Sequence, residues 1–321
     1  MSSFIIPEIV NSAETFNGKL FPLRRAAQLE RAFAEMFSRH LGNLRGGDYF
    51  ESEVLVVTGR SGAGKSTEIM NLLKNFNTSG AMLPNGQPAR MAACELNRRD
   101  NWKVLGQKTL TNIGHPLSDR ARLTQPETWA RVVQQGEEHG VIGINYDEMQ
   151  HILAGKSEEA LEAELDSFKS ILKSKRWPFL LILSGLPEIS EPVRVFEQLC
   201  RKVTYIHFED IDYDKEEITV QEIVTSYAMK VGLQVDDDLN TRDFIHRLTT
   251  AAAFRWGLVC EITTKAVERA LVAQSPHLTK DHFVDAWVMK TNVNRAATPF
   301  THDNYATLFR GEQPFHASLT N

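Results

Sequence analysis

The stretch Val56–Thr67 reads VVTGRSGAGKST and contains the spacing G-x-x-x-x-G-K-S from Gly59 to Ser66. This is the P-loop signature, in which glycines let the backbone approach phosphates while successive N–H groups and the next helix N-terminus attract them. The preceding run EVLVVTG is rich in β-branched residues, as in a buried parallel strand, and apolar residues follow at helical spacing: Ile69, Leu72, Leu73 and Phe76. This strand–loop–helix order predicts a nucleotide site and disfavours the alternative, a glycine-rich surface turn.

The P-loop pattern assigns roles to individual side chains. Lys65 is expected to reach the β- and γ-phosphates of ATP, and the Ser66 hydroxyl is expected to bind Mg²⁺. The other residues predicted to surround the nucleotide are Gly59, Arg60, Ser61, Gly62, Ala63, Gly64 and Thr67. ATP and Mg²⁺ are therefore the expected cofactors.

Composition restricts the class of protein. With 321 residues, 42% hydrophobic and 24% charged, the chain is expected to form one large globular domain or two ordinary ones. The net charge of −5 argues against coating nucleic acid by charge alone, although a local basic strip is still compatible with DNA binding. The N-terminus has no secretory pattern, no apolar run is long enough for a bilayer, and three scattered cysteines fit a reducing compartment. A cytoplasmic protein without a membrane partner is predicted.

The order of strand and helix patterns predicts the architecture. Strand patterns alternate with helices from about residue 51 to 212, which indicates a doubly wound α/β fold with a parallel sheet. Only helical patterns follow, at 215–232, 241–254, 257–273 and 279–290. The predicted organisation is an N-terminal helical extension (1–50), an α/β nucleotide-binding core (51–212), a helical lid domain (213–295) and an irregular tail (296–321). Within the extension, residues 1–21 are expected to be irregular, with Pro7 interrupting them.

Two strand ends carry candidate catalytic groups. Asp147 and Glu148 end an apolar strand, as a Walker B pair does: Asp147 would hold Mg²⁺ and Glu148 would act as general base on water. The alternative is an acidic pair that merely opens a helix. Asn145 and Tyr146 make the strand less apolar than usual, which counts against the Walker B reading. Ser184 ends the run PFLLILSG and is expected beside the γ-phosphate; alternatively, it only starts a turn.

Four segments together resemble the TniB/TnsC-type AAA+ ATPases of DNA transposons: GRSGAGKST (59–67), LTNIGHP (110–116), YDEMQHIL (146–153) and LILSGLPE (181–188). The helical stretch WGLVCEITTKAVERAL (256–271), with LTKDHFVDAW (278–287), is similar to that family's lid domain. The resemblance implies an AAA+ P-loop NTPase that assembles on DNA, marks a target site and recruits a transposase. Ser184 then occupies the sensor 1 position.

The resemblance also implies an arginine finger and a sensor 2 residue. The segment VFEQLCRKVTYIHF (195–208) is similar to the stretch that carries the family's arginine finger, which falls on Arg201. This chain has Arg201-Lys202 where that pattern has two arginines, so Arg194 is an alternative. Arg255, in FRWG, is a possible sensor 2, or else a solvated helix charge.

DNA and protein partners are implied in the same way. Five cations lie in two loops that face the pore in related assemblies: Arg98, Arg99 and Lys103 in NRRDNWK, and Arg120 and Arg122 in SDRAR. They would bind double-stranded DNA without sequence preference, or they are ordinary solvated loop charges. The implied partners are a transposase and a TniQ-like adaptor, and the implied assembly is a homo-oligomeric ring or helical filament.

Three other functions fit parts of the pattern. A helicase loader or replication-initiator ATPase would hydrolyse ATP with the same residues but would act on different partner proteins. A small-molecule kinase needs an acceptor pocket and an arginine-rich lid, which the sequence does not indicate. A signalling or defence ATPase needs an effector domain, and none is recognisable.

Overall fold

The computed structural model describes residues 4–18, 20–98, 100–116, 123–153, 155–195, 202–309 and 315. Contacts between residues divide the chain into two units. The α/β unit comprises Pro22–Ser61 and Lys65–Phe208, and the helical unit comprises Met1–Phe21, Gly62–Gly64 and Glu209–Asn321.

The α/β unit contains a parallel sheet, as predicted from the sequence. Its strands in the described residues are β1 (Val54–Gly59), β2 (Arg90–Glu95), β3 (Val141–Asp147), β4 (Leu180–Gly185) and β5 (Val203–Phe208), in the order β2-β3-β4-β1-β5. The helices described in the chain are α1 (Pro7–Phe16), α2 (Arg24–Gly46), α3 (Lys65–Thr78), α4 (Trp102–Ile113), α5 (Gln125–Glu138), α6 (Gln150–Leu153), α7 (Glu158–Leu172), α8 (Ser190–Val195), α9 (Tyr213–Lys230), α10 (Arg242–Ala251), α11 (Trp256–Val272), α12 (Lys280–Thr291) and α13 (Tyr305–Leu308).

The two central strands, β1 and β4, are buried along their whole length. Near-continuous apolar runs are required there because both faces of a parallel sheet are covered by helices. In β3, Tyr146 is also fully buried, and its hydroxyl lies 2.9 Å from Thr109 Oγ1. Thr109 already donates its own hydroxyl proton to the Leu105 carbonyl, so Tyr146 is the donor. This hydrogen bond explains how the tyrosine hydroxyl is accommodated in the buried strand.

The helical unit contains the four helices predicted after the sheet, here α9 to α12. Its core includes a cluster of aromatic rings, in which Phe283 contacts Phe244 at 4.9 Å and Phe300 at 5.6 Å between ring centroids. Two short strands, β6 (Gln234–Val235) and β7 (His277–Leu278), pair in parallel within this unit.

Both ends of the chain are more ordered than their sequences predict. The expectation that residues 1–21 are irregular is wrong for Pro7–Phe16, which form α1. Pro7 lies in the first turn, where the missing N–H has no intrahelical partner in any case, so this proline starts the helix. In the tail, α13 and a 3₁₀ turn at Arg295–Ala297 lie where no element is predicted, and Phe300 is fully buried. Aromatic contacts made by isolated residues carry no periodic signal, which is why the sequence does not reveal this order.

His40 of α2 is a buried titratable group. Its side chain is 2% exposed, its Nδ1 lies 3.0 Å from Ser52 Oγ, and its ring packs edge-on against Phe50. Burial lowers the pKa of His40 to about 4, because the charged imidazolium would lose its hydration.

We expect this histidine to make stability depend on pH. The folded-state pKa lies below the unfolded value of about 6.5, so the unfolded chain binds the proton first and the free energy of unfolding falls as pH drops from 6.5 toward 4. Urea unfolding at about pH 7 and pH 5 should show a loss in the native protein about 2 kcal/mol larger than in His40→Leu. Equal losses in the two proteins would contradict the prediction.

Candidate nucleotide site

The P-loop lies between β1 and α3, as the sequence predicts. Gly62 and Gly64 have φ values of 80° and 94°, which residues with a Cβ rarely adopt. Lys65 is 6% exposed, and its Nζ donates to the carbonyls of Gly59 at 2.8 Å and Arg60 at 3.2 Å. The ammonium group is thus held by the loop that is predicted to bind phosphates.

The three residues predicted at the ends of β3 and β4 are brought together. Ser184 is fully buried, and its hydroxyl donates to Asp147 Oδ1 at 2.7 Å. The backbone N–H of Glu148 donates to the same oxygen at 2.9 Å, and the Met149 N–H donates to the Ser184 carbonyl at 2.9 Å. These bonds tie the acidic pair to the serine across two neighbouring strands.

The sheet order places this group beside the P-loop strand. Val57 of β1 is in register with Ser184 of β4, and Tyr146 of β3 is in register with Leu183. Ser184 therefore lies between the strand that leads into the P-loop and the strand that ends in Asp147. The carboxyl ends of parallel strands are where α/β sheets bind ligands.

Glu148 has an unusual backbone conformation. Its φ is 61°, in the left-handed region that costs a non-glycine residue roughly 1–3 kcal/mol and that recurs at functional sites. Its side chain is 39% exposed, and its Oε2 accepts a hydrogen bond from Gln150 Nε2 and lies 4.0 Å from His151 Nε2. Gln150 was not predicted as a site residue, and no sequence signal points to it, because its second partner, Leu186, is distant in the sequence.

In the helical unit, the glycines of the P-loop contact the start of α11. A Cβ on Gly257 would lie 2.6 Å from the Gly62 carbonyl oxygen and 2.9 Å from the Gly64 nitrogen, so a side chain there would collide with backbone. Arg255, the predicted sensor 2, is the N-cap of this helix and is 4% exposed. The alternative reading of Arg255 as a solvated charge is therefore wrong.

Several predicted site residues are not placed at the site. Arg201, Arg99, Arg120 and Arg122 lie outside the described residues. Arg98 and Lys103 are exposed, as a DNA contact requires, whereas Trp102 between them is buried and stacks on Trp129 at 4.2 Å. Arg194, the alternative arginine finger, is exposed, and its guanidinium lies over the Tyr205 ring.

The donor atoms of the site fit Mg²⁺. Ser66 offers a hydroxyl and Asp147 a carboxylate, and Mg²⁺ prefers such hard oxygen ligands. Within the described residues, both hydrogen bonds to the Asp147 carboxylate fall on Oδ1, which leaves Oδ2 for a metal. Among the described residues there is no group of three or more His, Cys, Asp or Glu that could hold a metal ion.

Comparisons with known proteins concern the fold of the chain. Residues 48–192 match the family model described as an AAA domain. The Aeropyrum pernix ORC2 protein in ADPNP–ADP complexes is similar in structure, with a TM-score of 0.59, 17% identity, and coverage of 85% of this chain and 70% of that one. The A. pernix ORC1 protein in complex with DNA has a TM-score of 0.59 and 14% identity, covering 91% and 71%. Drosophila ORC bound to DNA has a TM-score of 0.53 and 12% identity, covering 92% and 70%. No curated protein matches this sequence.

The chain therefore has a parallel sheet core followed by a helical C-terminal region, which is the fold of the P-loop AAA+ proteins it is similar to. Among solved structures, ORC proteins share that fold over most of this chain. Their sequence identities of 12–17% are low, so the likeness concerns the fold alone. None of the described helices is long and apolar enough to cross a membrane.

Proposed function

We propose that this protein is an ATPase in which binding and hydrolysis of ATP control its attachment to double-stranded DNA. The observation that carries the catalytic part is the hydrogen-bonded group of Asp147, Glu148 and Ser184 at the ends of β3 and β4, next to the P-loop strand. A P-loop alone binds phosphates, whereas this group adds the parts that hydrolysis requires.

Each side chain of the site has a role in this proposal. Lys65 would exchange its contacts with the loop carbonyls for the β- and γ-phosphates, and the glycine-rich loop would surround them with N–H groups. Glu148 would accept a proton from the attacking water, and Ser184 would hold Asp147 in place. Ser66 and Asp147 would hold Mg²⁺, which would supply positive charge to offset the charge of the phosphoryl oxygens.

The ORC comparisons favour one class of client. A. pernix ORC1 and Drosophila ORC were solved with DNA, and their fold extends over 91% and 92% of this chain. Two functions that involve DNA are compatible with the sequence. The comparisons of fold support a replication-initiator or helicase-loader ATPase better than a transposition regulator. A transposition regulator is the second candidate, favoured by the four TniB/TnsC-like segments, and it would act with a transposase and a TniQ-like adaptor. Co-precipitation of purified replicative helicase, compared with transposase, distinguishes the two.

The assembly is proposed to be a ring or filament, in which Arg201 of one subunit completes the site of the next. The DNA surface is proposed to include Arg98, Arg99 and Lys103, with Arg120 and Arg122 as a second group. Lys103, which was predicted in a loop, lies in the first turn of α4. In an oligomer the same few cations recur in every subunit, so they would together be enough to bind DNA despite the net charge of −5 on each chain.

DNA binding provides the test of this function. We expect duplex binding to require ATP, to tolerate any sequence, and to weaken with salt at a log–log slope of about −0.9 per neutralised phosphate. The triple variant Arg98→Ala/Arg99→Ala/Lys103→Ala should flatten that slope by roughly two to three units while ATP binding is unchanged.

A matched control removes the same number of charges elsewhere. Arg31, Lys74 and Lys175 are exposed, and their replacement by alanine changes net charge equally. This control should leave the slope close to the native value. An unchanged slope in the first variant would place the DNA surface elsewhere, and DNA binding that ignores ATP would contradict the proposed switch.

A further inference from the structure

Gln150, at the start of α6, uses both ends of its side-chain amide. Its Nε2 donates to Glu148 Oε2, and its Oε1 accepts from the Leu186 backbone N–H at 3.2 Å. The residue is 8% exposed, so water competes little for either bond. An amide turned the other way would place its oxygen against the carboxylate and its NH₂ against a backbone N–H, so this orientation is fixed by its partners.

The backbone of Glu148 is held from both sides. Its own N–H is bonded to Asp147, and the next N–H, from Met149, is bonded to Ser184 of the neighbouring strand. These contacts stabilise the left-handed conformation at residue 148. With the backbone of Glu148 fixed, only its side chain can still rotate. The carboxylate is half-buried and contacts Gln150.

The other partner of Gln150 belongs to the loop that follows Ser184. Leu186 comes two residues after the serine, and Gly185 lies between them. A Cβ on Gly185 would lie 2.5 Å from Gln150 Oε1, so glycine is what leaves room for the amide. One side chain therefore connects the Glu148 carboxylate to the loop at the end of β4.

We propose that Gln150 is a positioning residue for ATP hydrolysis, which aligns the Glu148 carboxylate with the Ser184 loop. This inference rests on the proposed ATPase function. In the reaction, the oxygen of water forms a bond to the γ-phosphorus, and the bond from that phosphorus to the bridging oxygen breaks, leaving its electron pair on ADP. The proton lost by water passes to Glu148 Oε1, while Oε2 keeps its hydrogen bond from Gln150.

The arrangement requires a side chain that is both donor and acceptor. Methionine has a similar length and volume but makes neither bond. A protonated glutamic acid provides an O–H donor and a carbonyl acceptor, whereas an ionised one provides no donor and repels Glu148. These two replacements separate the positioning role from simple filling of space.

The experiment measures ATP turnover and ATP affinity for the native protein, Gln150→Met and Gln150→Glu. Because misplacement of a catalytic group by about 1 Å costs up to roughly 10²-fold, we expect Gln150→Met to lower kcat at least about tenfold, with KM for ATP within about twofold of native. We expect Gln150→Glu to be impaired at about pH 8 and to recover at least about fivefold, relative to native, as the introduced carboxyl protonates toward pH 5.5.

Gln135 provides a matched control. It is also 8% exposed and donates from its Nε2 to a carboxylate, that of Glu138 at 2.6 Å, but it lies on α5. The Gln135→Met variant should keep the native kcat.

Three results would overturn the inference. The first is a native kcat in Gln150→Met, and the second is a parallel loss of kcat, ATP affinity and thermal stability, which would indicate a purely structural role. The third is a Gln150→Glu activity that keeps the same ratio to native at every pH, and this variant decides the matter if Gln150→Met does not fold. Glu148→Gln in the same assay separates the two proposals. If it is inactive while Gln150→Met is native, only the Gln150 inference fails; if it is as active as native, the proposed function fails as well.

Discussion

The Glu148→Gln variant is expected to bind ATP with native affinity and to hydrolyse it roughly 10²–10⁴-fold more slowly, the usual contribution of a general base. An amide has nearly the same shape as the carboxylate and can still accept the hydrogen bond from Gln150 through its oxygen. It cannot take a proton from water. Phosphate release under saturating ATP and equilibrium binding of a non-hydrolysable analogue measure the two quantities separately.

Lys65→Ala is the control for that experiment, because it removes the ammonium group that closes the P-loop and should abolish binding of the analogue. If Glu148→Gln loses analogue binding as well as hydrolysis, Glu148 maintains the structure of the site and does not act as the general base. Phosphate release at the native rate would also refute the assignment.

The Gly257→Ala variant is expected to weaken ATP binding at least about tenfold. The added Cβ would fall inside contact distance of two backbone atoms of the P-loop, which cannot rotate away as a side chain can. Overpacking of this kind typically costs about 1–3 kcal/mol of folding stability. If a shift of the glycine loop that relieves this strain removes about 1.4 kcal/mol of phosphate binding, affinity falls tenfold. Either the helix N-terminus or the glycine loop has to shift, and the phosphates depend on the shape of that loop. Titration with a fluorescent ATP analogue measures the effect.

Gly42→Ala is the matched control for that substitution. Gly42 lies inside α2, and a Cβ there would meet nothing within 4 Å. Alanine in an open helical position should stabilise the protein by about 0.5–1 kcal/mol and leave ATP affinity unchanged. If Gly257→Ala binds the ATP analogue with native affinity, the contact between α11 and the P-loop glycines does not contribute to nucleotide binding.

The sequence predicts the parts of the fold and site that depend on local pattern. The P-loop, the strand ending in Asp147-Glu148 and the strand ending in Ser184 each carry a periodic or motif signal, and the structure places them side by side. The parallel sheet follows from the alternation of strands and helices and is confirmed.

Features that depend on distant contacts are not visible in the sequence. Gln150 accepts a hydrogen bond from Leu186, in the loop after β4, and Gly257 lies against the P-loop residues Gly62 and Gly64. Neither residue type at its position has a local signature. Pro7 shows the reverse error, since a residue read as an interruption begins a helix. The roles of Arg201 and of the loop cations stay predictions.

β1 is an interior strand with a neighbour on each side, and this position has a consequence for biosynthesis. Val54 of β1 pairs with Leu181 on one side and Val203 on the other, about 130 and 150 residues later in the chain. At a synthesis rate of about 5–20 residues per second, the strand waits on the order of ten to thirty seconds before it has both neighbours. During that interval an apolar strand with two open edges can pair with other chains, so we expect the nascent protein to be prone to aggregation until its partners are made. A fragment that ends before β4 would contain the entire P-loop sequence but no partner for the strand that carries it. The candidate nucleotide site can therefore form only after β4 has been made.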